Sequence, residues 1–194
     1  MMNNDLKRFT ACFSGGRPKS LYPMYAYAQS RVIDYTRMIQ NIYEYIKKLY
    51  IEKHIYRFIS GGAQGFDQLA FKAVAMLKNE YPEVQNIVCI PFKNQDNKWM
   101  ATGLFSREEY QRMLKTADEV RNCSPNIDPT IADFRVVTKA LMFRNECMCN
   151  DSSVIIGQYP DDSWIDRNTK GGTANCLRYA KSKGLEMNVK NFRP

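Results

Sequence analysis

Apolar residues follow two rhythms along this chain, and the rhythms alternate. Short runs of β-branched and aromatic residues occur at RFTACFSG (8–15), YRFIS (56–60), NIVCIPF (86–92) and SSVIIGQY (152–159). Such runs predict strands, and the last has the continuous apolar character of a strand buried on both faces. Between them, apolar residues return every three or four positions. Tyr35, Ile39, Ile42, Ile46 and Leu49 mark one face of a helix over about 25–53, and Leu69, Ala70, Ala73, Val74 and Leu77 one face of a helix over about 66–80. Tyr81-Pro82 stops the second helix, because proline disfavours helical backbone before it.

SREEYQRMLKTA (106–117) predicts a short helix with Ser106 as N-cap and Glu109 three residues on, a capping box. ADFRVVTKALMFRNECMCN (132–150) and GTANCLRYAKSKG (172–184) predict two more helices, the second closed by Gly184. DEVRNC (118–123) and EMNVKNF (186–192) complete the strands, and the polar segments 93–105 and 160–171 read as loops. Strands separated by helices predict an α/β fold, a Rossmann-like three-layer sandwich with a mostly parallel central sheet, in a single domain over 1–194. In such sheets ligands sit outside the carboxyl ends of the strands.

The strand-end loops therefore form one set. SGGRPKSLY (14–22) follows the first strand, SGGAQGFD (60–67) the second, PFKNQDNKW (91–99) the third and GQYPDDSWIDRNTKGGT (157–173) the buried fifth. Three of the four carry Gly-Gly, and the last pair opens a helix. Glycine removes the β-carbon that would hold a ligand off the backbone, and unpaired N–H groups at a helix N-terminus favour an anion. Phosphate is the expected guest, with Thr173 adding a hydroxyl. Neither a G-x-G-x-x-G dinucleotide fingerprint nor a Walker-type P-loop is present. Tyr22, Trp99, Tyr159 and Trp164 are candidates to stack on a base, with Trp99 preferred because its loop follows a strand end. Tyr25, Tyr27, Tyr35, Tyr43 and Tyr45 are expected to pack along the long helix or at an interface.

Composition narrows the classes. The formal net charge is +8, which favours an anionic partner, although the basic residues are spread without a block of five. No apolar run reaches the ~20 residues that span a bilayer, so no membrane partner is expected. The start of the chain lacks a signal-peptide pattern, and a cytoplasmic location is the expectation. The six cysteines include no C-x-x-C pair, and the single histidine is His54. Buried reduced thiols are expected in place of zinc, and no cofactor is expected.

The set SGGRP, ISGGAQGFDQLA, IPFKNQDNKW, FRNECM and KGGTANCL, in order over about 10–185, resembles the SLOG superfamily. That superfamily holds the LOG nucleotide phosphoribohydrolases, the DNA-processing protein DprA and the YpsA-like proteins of bacteria and phages, to which the similarity is greatest. The resemblance implies a nucleotide-binding domain, often dimeric. It implies ligand contacts from Gly15, Gly16 and Arg17, from Gly61, Gly62, Gly65 and Asp67, from Arg144 and Asn145, and from Gly171, Gly172 and Thr173. Asp67 would either cap its own helix or touch a sugar hydroxyl, and Arg144 would offer its planar fork to phosphate.

One departure bears on chemistry. Enzymatic LOG proteins carry GGxGTxxE, whose glutamate serves N-glycosidic cleavage. Here Gly172 precedes Thr173 without a spacer, and Cys176 stands at the acid's position. A thiol does not supply the carboxylate that stabilises an oxocarbenium-like centre. A nucleophilic role for Cys176 would use a thiol activated at a helix N-terminus, but His54, the single histidine base, precedes the second strand. The expectation is a non-catalytic binder of a nucleotide-like small molecule. The alternatives are an N-glycosidase using Asp161, Asp162 or Asp166, and a DprA-like nucleic-acid binder.

Overall fold

A computed structural model describes residues 4–21, 32–100 and 103–194. Six strands, β1 Thr10–Ser14, β2 Arg57–Ser60, β3 Gln85–Ile90, β4 Glu119–Asn122, β5 Val154–Gln158 and β6 Glu186–Lys190, form one sheet in the order β4-β3-β2-β1-β5-β6. Every neighbouring pair is parallel. The helices are α1 Asn4–Lys7, α2 Pro18–Leu21, α3 Val32–Lys53, α4 Phe66–Glu80, α5 Arg107–Thr116, α6 Phe134–Asn150 and α7 Gly172–Ser182, with 3-10 turns at Gly103–Phe105 and Asp162–Ile165. The proposed start of the long helix, with Tyr25 and Tyr27, and the base-stacking candidate Tyr22 lie outside the described residues.

The period of two along each strand sorts the core into two sides. Ala11, Phe13, Phe58, Val154 and Ile156 face α3 and α4, joined by Tyr35, Met38, Ile42, Ile46, Leu69, Val74 and Leu77. Cys12, Ile59, Ile87, Cys89 and Ile155 point the other way, onto Met148 and Cys149 of α6 and Leu177 and Ala180 of α7. Val88 and Ile90 meet Tyr110 and Met113 of α5 and Phe71 of α4. β1, β2 and β5 are buried along their whole length, as a sheet covered on both faces requires. The edge strand β4 is short, partly exposed and flanked by charge, with Arg121 bonded to Glu119 and Asp151, a guard against edge-to-edge pairing.

Local signals set several boundaries. Ser106 Oγ accepts the Glu109 N–H at 3.2 Å, so the capping position read from the sequence is where α5 begins. Asp133 caps α6 by accepting the Arg135 N–H at 2.6 Å. Tyr35 and Tyr43 are buried in the core, Tyr35 edge-on to Phe105 at 5.0 Å. Tyr45 packs on Phe192 at 5.6 Å.

The chain winds from β1 outward to β4 on one side, then returns to place β5 on the other side of β1. The loops that leave β1 and β5 therefore diverge, and a crevice opens between their carboxyl ends.

Candidate functional site

That crevice holds a cavity of about 610 Å³. The loop after β1 contributes Gly15, Gly16 and Arg17; the turn after β2 contributes Ala63, and the first turn of α4 Asp67. Helix α6 supplies Thr138, Leu141, Met142, Arg144 and Asn145, and the end of β5 supplies Gln158, Tyr159 and Pro160. Lys170 and residues 171–175 close it with the N-terminus of α7, and Arg193 reaches in from the segment after β6. A β-carbon built on Gly171 or Gly172 would meet no heavy atom within 4 Å, so these two positions face open space. The unpaired N–H groups of α7's first turn carry a partial positive charge there.

Arg144 is 6% exposed and Asp67 7%, so both charges are withdrawn from water. Arg144 Nη1 donates to the Gly61 carbonyl and lies 3.8 Å from Asp67 Oδ2. Its Nε is buried without a hydrogen-bond partner. Asp67 accepts the Ala63 N–H at 3.2 Å, which fastens the loop after β2. Of the two roles open for Asp67 in the sequence, the helix cap is taken by Gly65, whose backbone sits at φ 98°. Burial raises the Asp67 carboxyl above its ordinary range, against the pull of Arg144 and Arg17 and of the backbone donors at Ala63 and Gly61.

That shift has a sign. A carboxyl whose folded pKa lies above its unfolded value binds its proton more tightly when folded, so its contribution to stability is present at low pH. The contribution is lost as pH rises from the ordinary carboxylate range through the raised folded value. Stability of the unliganded protein is expected to decline across that window, and Asp67→Asn to flatten the decline. Urea titrations at stepped pH check this.

The glycines after β2 have a different task from the one expected. A β-carbon on Gly61 would strike the guanidinium of Arg144 and stand 2.7 Å from Asp67 Oδ2. On Gly62, at φ 65°, it would stand 3.1 Å from Met113 Cε and Val88 Cγ1 and 3.2 Å from Tyr110 Cε2. On Gly65 it would run into the backbone of Gly16 and Arg17, whose loop is tied to this one by the Phe66 N–H donating to the Gly16 carbonyl at 3.1 Å. None of the three lines the cavity. They make room for protein atoms: Gly61 for the buried ion pair, Gly62 for the α5 contact, Gly65 for the docking of one strand-end loop on the other.

Trp99 also lies away from the cavity. It packs edge-on to Tyr110 at 4.9 Å, with the small cluster under α5. Trp164 is buried on the α6–α7 side, and of the described stacking candidates Tyr159 lines the cavity. Thus Gly15, Gly16, Arg17, Asp67, Arg144, Asn145, Gly171, Gly172 and Thr173 are brought together, while Gly61, Gly62, Gly65 and Trp99 are not.

Asp161, Asp162 and Asp166 are exposed and line no part of the cavity. Asp161 accepts the Ser163 N–H at 2.8 Å and Asp166 the Asn168 N–H at 2.9 Å, so both act as loop caps. Cys176 is 2% exposed with its Sγ 3.8 Å from that of Cys149. Its thiol is pushed well above the ordinary cysteine value, first by the hydrogen bond with Cys149 and then by burial. A thiol held protonated in the core is no nucleophile. Among the described residues no group of three or more His, Cys, Asp or Glu is placed to hold a metal ion. No helix among them is long and apolar enough to cross a membrane.

Three contributors were not legible beforehand. Arg193 lies outside every motif, and Lys170, the first residue of KGGTANCL, is not among the contacts that the resemblance implies. Arg178 staples the 160–171 loop to α7 by donating to the carbonyls of Trp164 and Asp166 at 2.8 Å and of Thr169 at 2.9 Å. Its place one and a half turns into α7, facing a polar loop, is a signal visible only once the loop's path is known.

Comparison with known proteins agrees with this architecture. The YpsA family model, described as the YspA SLOG family, matches residues 26–190. The SPbeta prophage-derived protein YoqJ of Bacillus subtilis, itself uncharacterized, is 34% identical over 152 residues, covering 77% of this chain and 83% of that protein. The UPF0398 protein BH1768 of Halalkalibacterium halodurans is 27% identical over 125 residues, covering 61% of each chain. Among solved structures, DNA processing protein A from Helicobacter pylori, in a study of its single-stranded DNA binding mode, aligns with a TM-score of 0.53. The identity is 14%, over 96% of this chain and 68% of that one, which is a likeness of fold.

Proposed function

The chain belongs to the YspA SLOG family, and from that premise we propose that it binds a nucleotide or nucleotide-derived ligand through phosphate, for sensing or sequestration, without reacting it. One observation carries the reading. The loops after β1 and β5 and the N-terminus of α7 meet around a single cavity whose wall contains a buried arginine with an unbonded Nε. Arg17, Arg144, Lys170 and Arg193 line it against one carboxylate, Asp67. Phosphate at the α7 amides would complete the hydrogen bonding there, with Gly171, Gly172 and Thr173 against it and Arg17, Arg144 and Asn145 beside it. Leu141, Met142 and Tyr159 offer an apolar wall to a base.

Catalysis has little to work with. The acids considered from the sequence point elsewhere, and the lone cavity carboxylate is engaged with Ala63 and Arg144. The protein is expected to gain thermal stability with one or more nucleoside phosphates and to release no free base from them. Mass spectrometry of whatever co-purifies would name the ligand. Base release that disappears in Asp67→Asn would replace this reading with an N-glycosidase.

A second reading, nucleic-acid binding, draws on the net charge of +8 and on the single-stranded DNA binding of the H. pylori neighbour. It expects DNA affinity to fall steeply with salt, with a slope reporting several phosphate contacts. Weak, salt-insensitive association would dismiss it. A cytoplasmic protein that self-associates through exposed apolar residues of α6, such as Phe134 and Phe143, also suits the proposal.

A further inference from the structure

Resting on the phosphate proposed at the N-terminus of α7, we propose that Arg193 forms a second anion subsite in the same cavity, and that the ligand is a nucleoside with two phosphates on separate positions of its sugar.

Arg193 is held in place by neutral groups. Gln158, the last residue of β5, clamps the segment after β6. Its Nε2 donates to Asn191 Oδ1 at 3.1 Å, and its Oε1 accepts the Phe192 N–H at 2.5 Å. Asn41 of α3 donates to the Phe192 carbonyl at 3.1 Å, and the Phe192 ring packs on Tyr45 and Phe66. Asn191 Oδ1 in turn accepts from Arg193 Nε at 3.1 Å, and the Leu21 carbonyl accepts from Nη1 at 3.3 Å. Among the described residues no carboxylate pairs with this guanidinium. Its Nη2 has no protein partner and is not sealed from solvent, and the half-exposed side chain lines the cavity. Ordering a long arginine costs rotamer freedom, and no counter-charge of the protein offsets it here. A planar guanidinium fixed in this way suits phosphate oxygens.

Arg193 and α7 reach the cavity from different sides. Leu21 and Phe192 belong to the core on the α3–α4 side of the sheet, whereas Ala174 and Leu177 of α7 belong to the core on the α6 side. The ends of β1 and β5, Ser14 and Gln158, line the cavity as well. Positive charge therefore enters from both faces of the sheet: Arg193 from one, and Lys170 with the α7 N–H groups from the other. Asp67, the carboxylate in the wall, lies 3.8 Å from Arg144 and meets neither Lys170 nor Arg193. A single phosphate at α7 leaves the charge of Arg193 unmet. A second phosphate, held across a sugar from the first, meets it.

Calorimetric titration tests this with the 5′-monophosphate, 5′-diphosphate and 3′,5′-bisphosphate of adenosine, guanosine, cytidine and uridine. For at least one base, the bisphosphate is expected to bind the native protein about tenfold or more tighter than the monophosphate. Arg193→Gln is expected to shrink that ratio to about twofold or less, and Arg193→Lys, which keeps the charge, to retain part of it. A side chain that only braced the segment after β6 would lower both affinities by the same factor. Gly172→Val is expected to weaken every one of these compounds, which reports on α7 itself. Three results overturn the proposal while leaving phosphate binding at α7 in place: monophosphate binding with no gain from the second phosphate, an equal gain from the 5′-diphosphate, or a gain that survives Arg193→Gln. Failure of all the compounds to bind overturns both.

Discussion

Asp67→Ala is expected to lower the unfolding free energy by about 3 kcal/mol at neutral pH, the low end for breaking a buried ion pair from one side. For a domain of this size that is a fall in Tm of roughly 10 °C. The physical reason is asymmetric. Arg144 is 6% exposed and would keep the Gly61 carbonyl but lose the carboxylate 3.8 Å away. The Ala63 N–H would lose its acceptor in the same step. Removing Arg144 as well, as Asp67→Ala with Arg144→Met, is expected to cost less than the sum of the two single changes, since no uncompensated charge stays behind. Chemical denaturation of the four proteins of that cycle checks it. Strict additivity would show that the two side chains do not act as a pair.

Gly172→Val is expected to weaken binding of a nucleoside phosphate by about a hundredfold or more, with Tm moving little. The first turn of α7 has open space at this position, so an added β-carbon meets no protein atom within 4 Å and the valine methyls enter the place proposed for phosphate. Gly62→Val is expected to do the reverse. At φ 65° a β-branched residue is strained, and its β-carbon would press on Met113, Val88 and Tyr110. Stability should fall by about 2 kcal/mol or more, with ligand affinity altered only through the loss of folded protein. Thermal melts and titrations on both variants separate the two. Equal loss of affinity with intact stability in Gly62→Val would return that glycine to the binding surface.

The contrast between these two glycines shows how far the sequence could be read. SGGAQGFDQLA looked like a phosphate loop because its glycines sit between a strand and a helix. Local pattern records that a β-carbon is excluded but is silent on what excludes it. At Gly62 it is a methionine, a valine and a tyrosine, and at Gly65 the backbone of the preceding strand's loop. Trp99 poses the same question. A tryptophan in a polar segment packs on the protein as readily as on a ligand, and Trp99 meets Tyr110, eleven positions on, in an edge contact.

The sequence alone determined the α/β alternation, the parallel sheet, the Ser106 cap and the ends of α4. These follow from periodicity and backbone chemistry within a few residues of each position. It also located the strand ends as one set, since a parallel sheet puts them on one rim. The tertiary structure decided which of those loops share a cavity. That depended on the chain reversing so that β5 lies beside β1, which brings residues near 15, 144 and 172 together and turns those near 62 toward α5. Contacts between residues a hundred positions apart are set by the packing of whole helices on a sheet, and no local pattern of side chains encodes them.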